Sequence, residues 1–381
     1  MLYTLDNIKL LFPKSNWEFT LEPCLMVILK AVEGRFVGGV VRDALLGIMT
    51  EDIDIATPFL PEEVLHRLTQ LNFHPVATGI KYGTVSVFLK KYKIEITSLR
   101  KDVKTYGRKA EVSFGGTWEE DSLRRDFTFN ALFLCIEDHQ YYLYDYHGGL
   151  EDLRKGQVNF IGDYKERIKE DYLRIMRFVR FFLRYAITHK DFTSTLESFY
   201  EFIPPMKILS IERILMELNA ILKCENWWVG IDIINTLGIS KLFFQDNLFI
   251  PSLTNRGLIY SLNERFFIIF HRISLEVIKT LPLIKHQQLL LSKYITTDFT
   301  PTSLGRIWQK TKTLNLIVEL IHFKYLIDGH RNFPIDLLRE DNFNNYKKYI
   351  VFQHSFGPER GEEELQIKIN FLKSLETSTS I

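Results

Sequence analysis

Gly38-Gly39-Val40-Val41-Arg42-Asp43 is followed nine residues later by Asp52-Ile53-Asp54, and this order limits what the chain can build. Phe36 and Val37 form an apolar lead into the glycines, and the short helix-like link Asp43-Ala44-Leu45-Leu46-Gly47 ends at a glycine before the acidic segment. In a strand, side chains two residues apart share a face, so Asp52 and Asp54 point one way and Ile53 and Ile55 the other. One face packs and the other is left for chemistry. Two carboxylates pressed together repel, and a hard divalent cation relieves them; Mg²⁺ binds one or two carboxylates together with substrate phosphates. A glycine pair lets backbone approach a phosphate, and the guanidinium of Arg42 can hold one. Asp-x-Asp or Gly-Gly alone reads as a solvated turn. Their combination in this order points to metal-dependent phosphoryl transfer, with Asp52 and Asp54 as the expected metal ligands.

Further motifs follow. Gly83–Leu89, a break at Lys90-Lys91-Tyr92, and Lys93–Thr97 read as a β-hairpin whose second strand turns Ile94 and Ile96 inward and Glu95 and Thr97 to the other face. Glu95 is the candidate third carboxylate, against the plain reading of a solvent-facing strand residue. The acidic start of Glu119-Glu120-Asp121-Ser122-Leu123-Arg124-Arg125-Asp126 suits a helix beginning near Asp121. Between them lies a charged, glycine-punctuated segment, Arg100-Lys101-Asp102 and Tyr106-Gly107-Arg108-Lys109-Ala110-Glu111-Val112, which reads as a loop. The glycines of Asp145-Tyr146-His147-Gly148-Gly149 offer the freedom of a hinge or of an ordinary turn. His147 has no second ligand at metal spacing. In Glu170-Asp171-Tyr172-Leu173-Arg174, Asp171 and Arg174 are three residues apart and are expected on nearly one face of a helix. They can offer an acceptor and a donor to a base edge, or form a surface ion pair. Arg177 and Arg180 continue at steps of three; such steps drift by about 60° each, so Arg180 is expected nearly opposite Asp171.

Together these motifs resemble the nucleotidyltransferase head of the CCA-adding enzymes and of the bacterial poly(A) polymerases, both in the polymerase-β-like superfamily. The resemblance rests on the Gly-Gly and Asp-x-Asp segments, on Arg124-Arg125-Asp126-Phe127-Thr128-Phe129-Asn130, on the corner at Asp145–Leu153 and on Glu170–Arg174, and it spans about residues 34 to 225. It implies that Gly38, Gly39, Arg42 and Arg125 hold the triphosphate, Asp126 helps organise the site, and Glu95 completes the carboxylate set. It implies further that Asp171 and Arg174 read the incoming base, that Arg177 and Arg180 stand in the nucleotide pocket, and that the segment around Gly107–Val112 is the movable loop used in adding the final adenosine. A planar, permanently charged guanidinium suits such a polyanion because it can bind two oxygens at once.

The expected architecture is an α+β nucleotidyltransferase head with a mixed β-sheet over residues 1–150, then a helical neck over 151–225 and a helical body and tail over 226–381. The 381 residues allow this many packed units. A formal net charge of +1 excludes a generally basic coat for nucleic acid and leaves local patches. Residues 164–190 supply one, with eight Lys or Arg against three acidic residues. Cys24, Cys135 and Cys224 are too scattered for a disulfide framework or a zinc site. No apolar run is long enough to span a membrane, and the N-terminal residues show no leader pattern; a cytoplasmic enzyme is expected. The resemblance implies tRNA, through its acceptor end, as partner, ATP and CTP as substrates and Mg²⁺ as cofactor. Poly(A) addition, partial CC or A addition, and a non-catalytic RNA-binding protein remain open as alternatives.

Overall fold

Alternation of apolar and polar residues sets the central sheet. In Asp52–Thr57 and Lys93–Ser98 the isoleucines at 53, 55, 94 and 96 are buried while Asp52 and Asp54 are exposed. The computed structural model describes residues 1–106, 109–185, 192–250 and 261–296, with no account of side chains 101–112. Within it the chain forms two compact units, the first Met1–Leu209 and the second beginning at Ser210.

Eight strands of the first unit make one mixed sheet: β1 (Leu2–Thr4), β2 (Arg35–Val37), β3 (Asp52–Thr57), β4 (Val76–Gly79), β5 (Thr84–Phe88), β6 (Lys93–Ser98), β9 (Leu132–Glu137) and β10 (Gln140–Asp145). Their order is β1-β10-β9-β2-β3-β6-β5-β4. Only β3 and β6 run parallel, in a register that sets Asp54 beside Glu95. The expected hairpin of β5 and β6 forms. The segment read as a loop is instead a second hairpin of β7 (Arg100–Tyr106) and β8 (Lys109–Phe114), pairing antiparallel. Thr105 and Val112 supply the β-branched character that the charges obscured. Its tip, Gly107 and Arg108, lies outside the described residues.

Helices flank this sheet. After α1 (Leu5–Leu11) and α2 (Pro23–Ala31), α3 (Gly39–Leu45) follows the glycine pair directly. It starts four residues before the link expected to be helical. Next, α4 (Pro61–Gln70) packs Val64 and Leu68 inward. The helix expected near Asp121 is α5 (Trp118–Leu123), which starts earlier because Thr117 and Glu120 form a reciprocal capping box. Then α6 (Gly149–Lys155), α7 (Tyr164–Glu170) and α8 (Arg174–Tyr185) complete the part of the unit that concerns the site. One side of α8 carries Arg174, Arg177, Arg180 and Arg184, and the other buries Ile175, Phe178, Val179, Phe181 and Phe182. Phe181 meets Phe127 edge-on at 5.3 Å and Phe178 meets Phe199 at 5.1 Å. Each such buried ring is worth about 1.5–3 kcal/mol. The helices after residue 150 therefore share a core with the turn that follows α5.

The described part of the second unit is helical: α9 (Ile211–Leu222), α10 (Trp227–Thr236), α11 (Ile239–Phe244), α12 (Leu262–Phe270), α13 (Leu275–Thr280) and α14 (Lys285–Thr296). The helix α9, with Ser210 at its N-cap, opens this unit. Arg265 donates to the carbonyls of Leu222 and Cys224 at 2.6 and 3.0 Å, capping α9. Trp227 is in the core and Trp228 is half-buried. Pro251, Pro301, Pro334 and the residues from Glu359 onward lie outside the described residues.

Candidate active site

The chain leaves β2 through Gly38, whose φ of 72° and ψ of −124° suit glycine and strain other residues. A Cβ on Gly38 would stand 3.5 Å from Nη1 of Arg125, 3.6 Å from the carbonyl of Asn130 and 4.0 Å from Oδ2 of Asp54. Backbone, guanidinium and carboxylate thus converge at one point. A cavity of about 580 Å³ opens there, a volume ordinary for a small-molecule site. Gly38, Gly39, Arg42, Asp54, Arg125, Asp126, Asp171, Arg174, Arg177 and Arg180 all line it. Asp52 and Glu95 do not. With Arg100 and Arg124 the wall carries seven arginines against three aspartates, so the cavity favours an anion.

A buried network fixes these arginines. Arg42, with a side chain only 6% exposed, donates from Nε to Oδ1 of Asp43 at 2.9 Å and from Nη1 to Oδ1 of Asn130 at 2.5 Å. Asp43 also accepts from the Tyr185 hydroxyl at 2.7 Å and from Arg184 at 3.2 Å. Asp126 accepts Nε and Nη2 of Arg177 on Oδ2 at 2.7 and 2.6 Å, and Nδ2 of Asn130 on Oδ1 at 2.9 Å. Burial alone would raise the Asp126 carboxyl, but Arg177, Asn130 and the Phe127 amide outweigh it and hold the group down to about 2. Asp121 accepts Arg124 at 2.8 Å on one oxygen and Arg125 at 3.0 Å on the other. Its burial is likewise outweighed by the two guanidiniums, so its carboxyl lies below the usual range. Burial and the neighbouring Arg125 lower Arg124 to about 10, against the pull of Asp121. Arg167 donates to the carbonyls of Arg124 and Arg125 at 2.7 and 2.5 Å, which joins α7 to the turn after α5.

The base-reading pair differs from its expected geometry. Asp171 is not helical: its φ is −154°, it follows the last residue of α7, and its Oδ1 accepts from the Leu173 amide at 3.2 Å. An aspartate that bonds the backbone two residues on competes with helix formation, and α8 starts only at Arg174. Arg174 donates to Oε2 of Glu170 at 2.6 Å and to the Arg167 carbonyl at 2.5 Å. Asp171 and Arg174 therefore reach one cavity from a turn and from a helix start, and share no helix face. For the same reason Arg180 is not turned away from Asp171; both line the cavity.

Asp52 and Asp54 share the open face of β3. The Asp54 carboxyl stands above the usual range, chiefly through partial desolvation in the cleft, with Glu95 and Asp52 adding to the rise and Arg125 opposing it. A divalent cation would relieve that accumulation, so the pair fits a metal held by two carboxylates and completed by substrate oxygens. Among the described residues no group of three acidic, His or Cys side chains is placed to hold a metal. Glu95 is bonded instead to Lys93 at 2.6 Å, and that bond also raises Lys93.

Sequence reasoning missed four lining residues. Arg124 and Asn130 stand inside the quoted motif beside Arg125 and Asp126, and that adjacency was a usable signal. Arg100 comes in at the β6–β7 corner, where it bonds the Tyr82 carbonyl. Phe181 lies under the guanidiniums of Arg180 at 4.2 Å, Arg42 at 5.1 Å and Arg177 at 5.4 Å. Neither had a local signal. His147 bonds the Ser122 hydroxyl at 2.8 Å; burial lowers its pKa while Asp145 and Glu119 oppose that fall.

Residues 34–159 match the family described as Poly A polymerase head domain. This part of the chain is thus similar to a nucleotidyltransferase head. Nucleotidyltransferases in general use a divalent metal, which the Asp52–Asp54 pair fits. The chain is 41% identical over 192 residues to the mitochondrial CCA tRNA nucleotidyltransferase 1 of Homo sapiens, covering 50% of this chain and 44% of that protein. It is 39% identical over 231 residues to the CCA-adding enzyme of Streptococcus pyogenes, covering 59% and 54%. The matched stretch spans about half the length of the curated relatives it matches. The fold is like that of the Bacillus stearothermophilus CCA-adding enzyme solved with CTP, at a TM-score of 0.66 and 22% identity over 93% of this chain and 92% of that one. The Thermotoga maritima CCA-adding enzyme solved with tRNA aligns at a TM-score of 0.55 and 18% identity over 98% and 99%. Both likenesses bear out the expected α+β head and helical remainder. No helix among the described residues is long and apolar enough to cross a membrane.

Proposed function

We propose that the chain is a template-independent tRNA nucleotidyltransferase that adds CCA to the 3′ end of tRNA from CTP and ATP. The observation that carries this reading is the convergence at Gly38, where Asp54 and Arg125 flank a cavity walled by arginines. The matched relatives named for CCA addition support it. In this reading Gly38 and Gly39 let the triphosphate approach the backbone, and Arg42 and Arg125 hold it in place. Asp52 and Asp54 would hold Mg²⁺, which when bound neutralises phosphate charge and activates the attacking oxygen. The tRNA 3′-oxygen forms a bond to the α-phosphorus, the bond to the β-phosphate oxygen breaks, and pyrophosphate leaves. Glu95 stands in register beside Asp54 and could take the hydroxyl proton only on releasing Lys93. Asp171 and Arg174 read the base, with Arg177 and Arg180 supporting it.

Residues 1–150 would do the chemistry, 151–225 base recognition and 226–381 tRNA binding. The three cysteines are free, which fits a reducing compartment such as the cytoplasm. The test is incubation with tRNA ending before its CCA, with CTP alone, ATP alone or both, followed by sizing. The description of the matched family favours a second reading, poly(A) polymerase. That reading predicts a long ladder from ATP alone on the same substrate.

A further inference from the structure

Asn130 is a neutral side chain that joins two charged parts of the cavity wall. Its Oδ1 accepts from Arg42 and its Nδ2 donates to Asp126 at 2.9 Å, while Asp126 grips Arg177 through both Nε and Nη2. An amide serves both because it carries an acceptor and a donor on one plane. The turn Thr128–Asn130 that presents it is wedged from behind. A Cβ on Gly149 would stand 2.3 Å from the Thr128 carbonyl oxygen and 2.8 Å from the Phe129 nitrogen, so only glycine lets α6 come this close. Thr128 Oγ1 donates to Asp152 at 2.6 Å, and Asp145 accepts the amides of His147, Gly149 and Leu150 at 3.1, 3.0 and 3.0 Å. The Gly148-Gly149 corner thus buttresses the turn that carries Asn130.

We propose that Asn130 is a positioning residue that couples Arg42 to the Asp126–Arg177 pair, and that the Asp145–Gly149 corner exists to hold it there. This inference rests on the reading of the cavity as a nucleotide pocket. Two substitutions separate positioning from bulk. Asn130→Ala removes both bonds. Asn130→Asp keeps an acceptor for Arg42 but sets a carboxylate against Asp126. The charged and titratable groups around that pair are Arg42 and Asp43 on α3, Asp126 itself, Arg167 on α7, and Arg177, Arg184 and Tyr185 on α8. Two facing carboxylates can share one proton as pH falls, which restores the lost donor.

The experiment measures CTP and ATP binding to the full chain, KM and kcat, and melting temperature, each at pH 8 and pH 6. Asn130→Ala is expected to weaken both nucleotides roughly tenfold, mainly in KM, since two bonds to charged groups are lost. Asn130→Asp is expected to bind poorly at pH 8 and, relative to wild type, to recover severalfold at pH 6; Asn130→Ala should show no recovery. Wild type that binds nucleotide beside an Asn130→Asp variant that binds equally well at both pH values would overturn the inference. So would a fall in melting temperature with unchanged KM in both variants. Wild type that binds neither nucleotide would overturn the reading of the pocket itself.

Discussion

Single side chains carry the sharpest expectations. Asp54 has a carboxyl raised above its unfolded value, so its contribution to stability is greatest at acid pH and is lost as pH rises through the folded value. Asp54→Asn should therefore melt slightly higher than wild type at neutral pH without metal, by under about 1 kcal/mol because the group is exposed to screening solvent. It should also lose incorporation of both nucleotides by more than roughly a hundredfold; near-normal CTP incorporation would remove Asp54 from the reaction. Asp126 has the opposite sign. Its carboxyl is held down to about 2, so its stabilisation is present above roughly pH 4 and is lost between pH 4 and pH 2. Asp126→Asn should cost about 2 kcal/mol at pH 7, and its melting curve should converge with wild type in strong acid. Arg174 separates two readings. If it reads the base, Arg174→Ala changes the kcat/KM ratios among CTP, UTP, ATP and GTP by roughly 1–3 kcal/mol of discrimination; unchanged ratios would leave Arg174 its structural bonds to Glu170 and the Arg167 carbonyl. These residues were legible because each sits in a short contiguous motif. Arg100 and Phe181 were not, because tertiary packing alone brings them to the wall.

Strands and helices were legible where apolar period and chemistry agreed. The alternation of Asp52–Thr57 and Lys93–Ser98 revealed both the buried and the open face. It could not reveal the parallel register that sets Asp54 beside Glu95, since that pairing joins residues far apart in sequence. The helix drawn through Glu170–Arg174 failed because Asp171 satisfies backbone locally and breaks it. The β7–β8 hairpin was hidden by its charges. If it reshapes the pocket between cytosine and adenine, shortening it about Gly107–Arg108 should leave CTP addition nearly intact and suppress the terminal adenosine. A product ladder with both nucleotides checks this, and equal loss of all three additions would make the hairpin merely structural. The α6 buttress predicts a steric cost: Gly149→Ala should destabilise by roughly 1–3 kcal/mol, read by thermal melting, because backbone of Thr128 and Phe129 blocks the methyl.

The two units divide at Leu209, so the cavity and the elements that build it all lie in the first. Sequence pattern anticipated the helices described beyond residue 150, whereas the aromatic packing of Phe127 with Phe178 and Phe181 is a long-range fact that pattern does not carry. A near-neutral net charge with an arginine-lined cavity describes a protein that concentrates its positive potential where an anion must sit. The most direct test of that account is the product ladder formed by the intact chain on tRNA ending before its CCA. With CTP alone the tRNA should grow by two nucleotides, and with CTP and ATP by three and then stop. A ladder of many adenosines from ATP alone, or no extension with Mg²⁺ present, would contradict it.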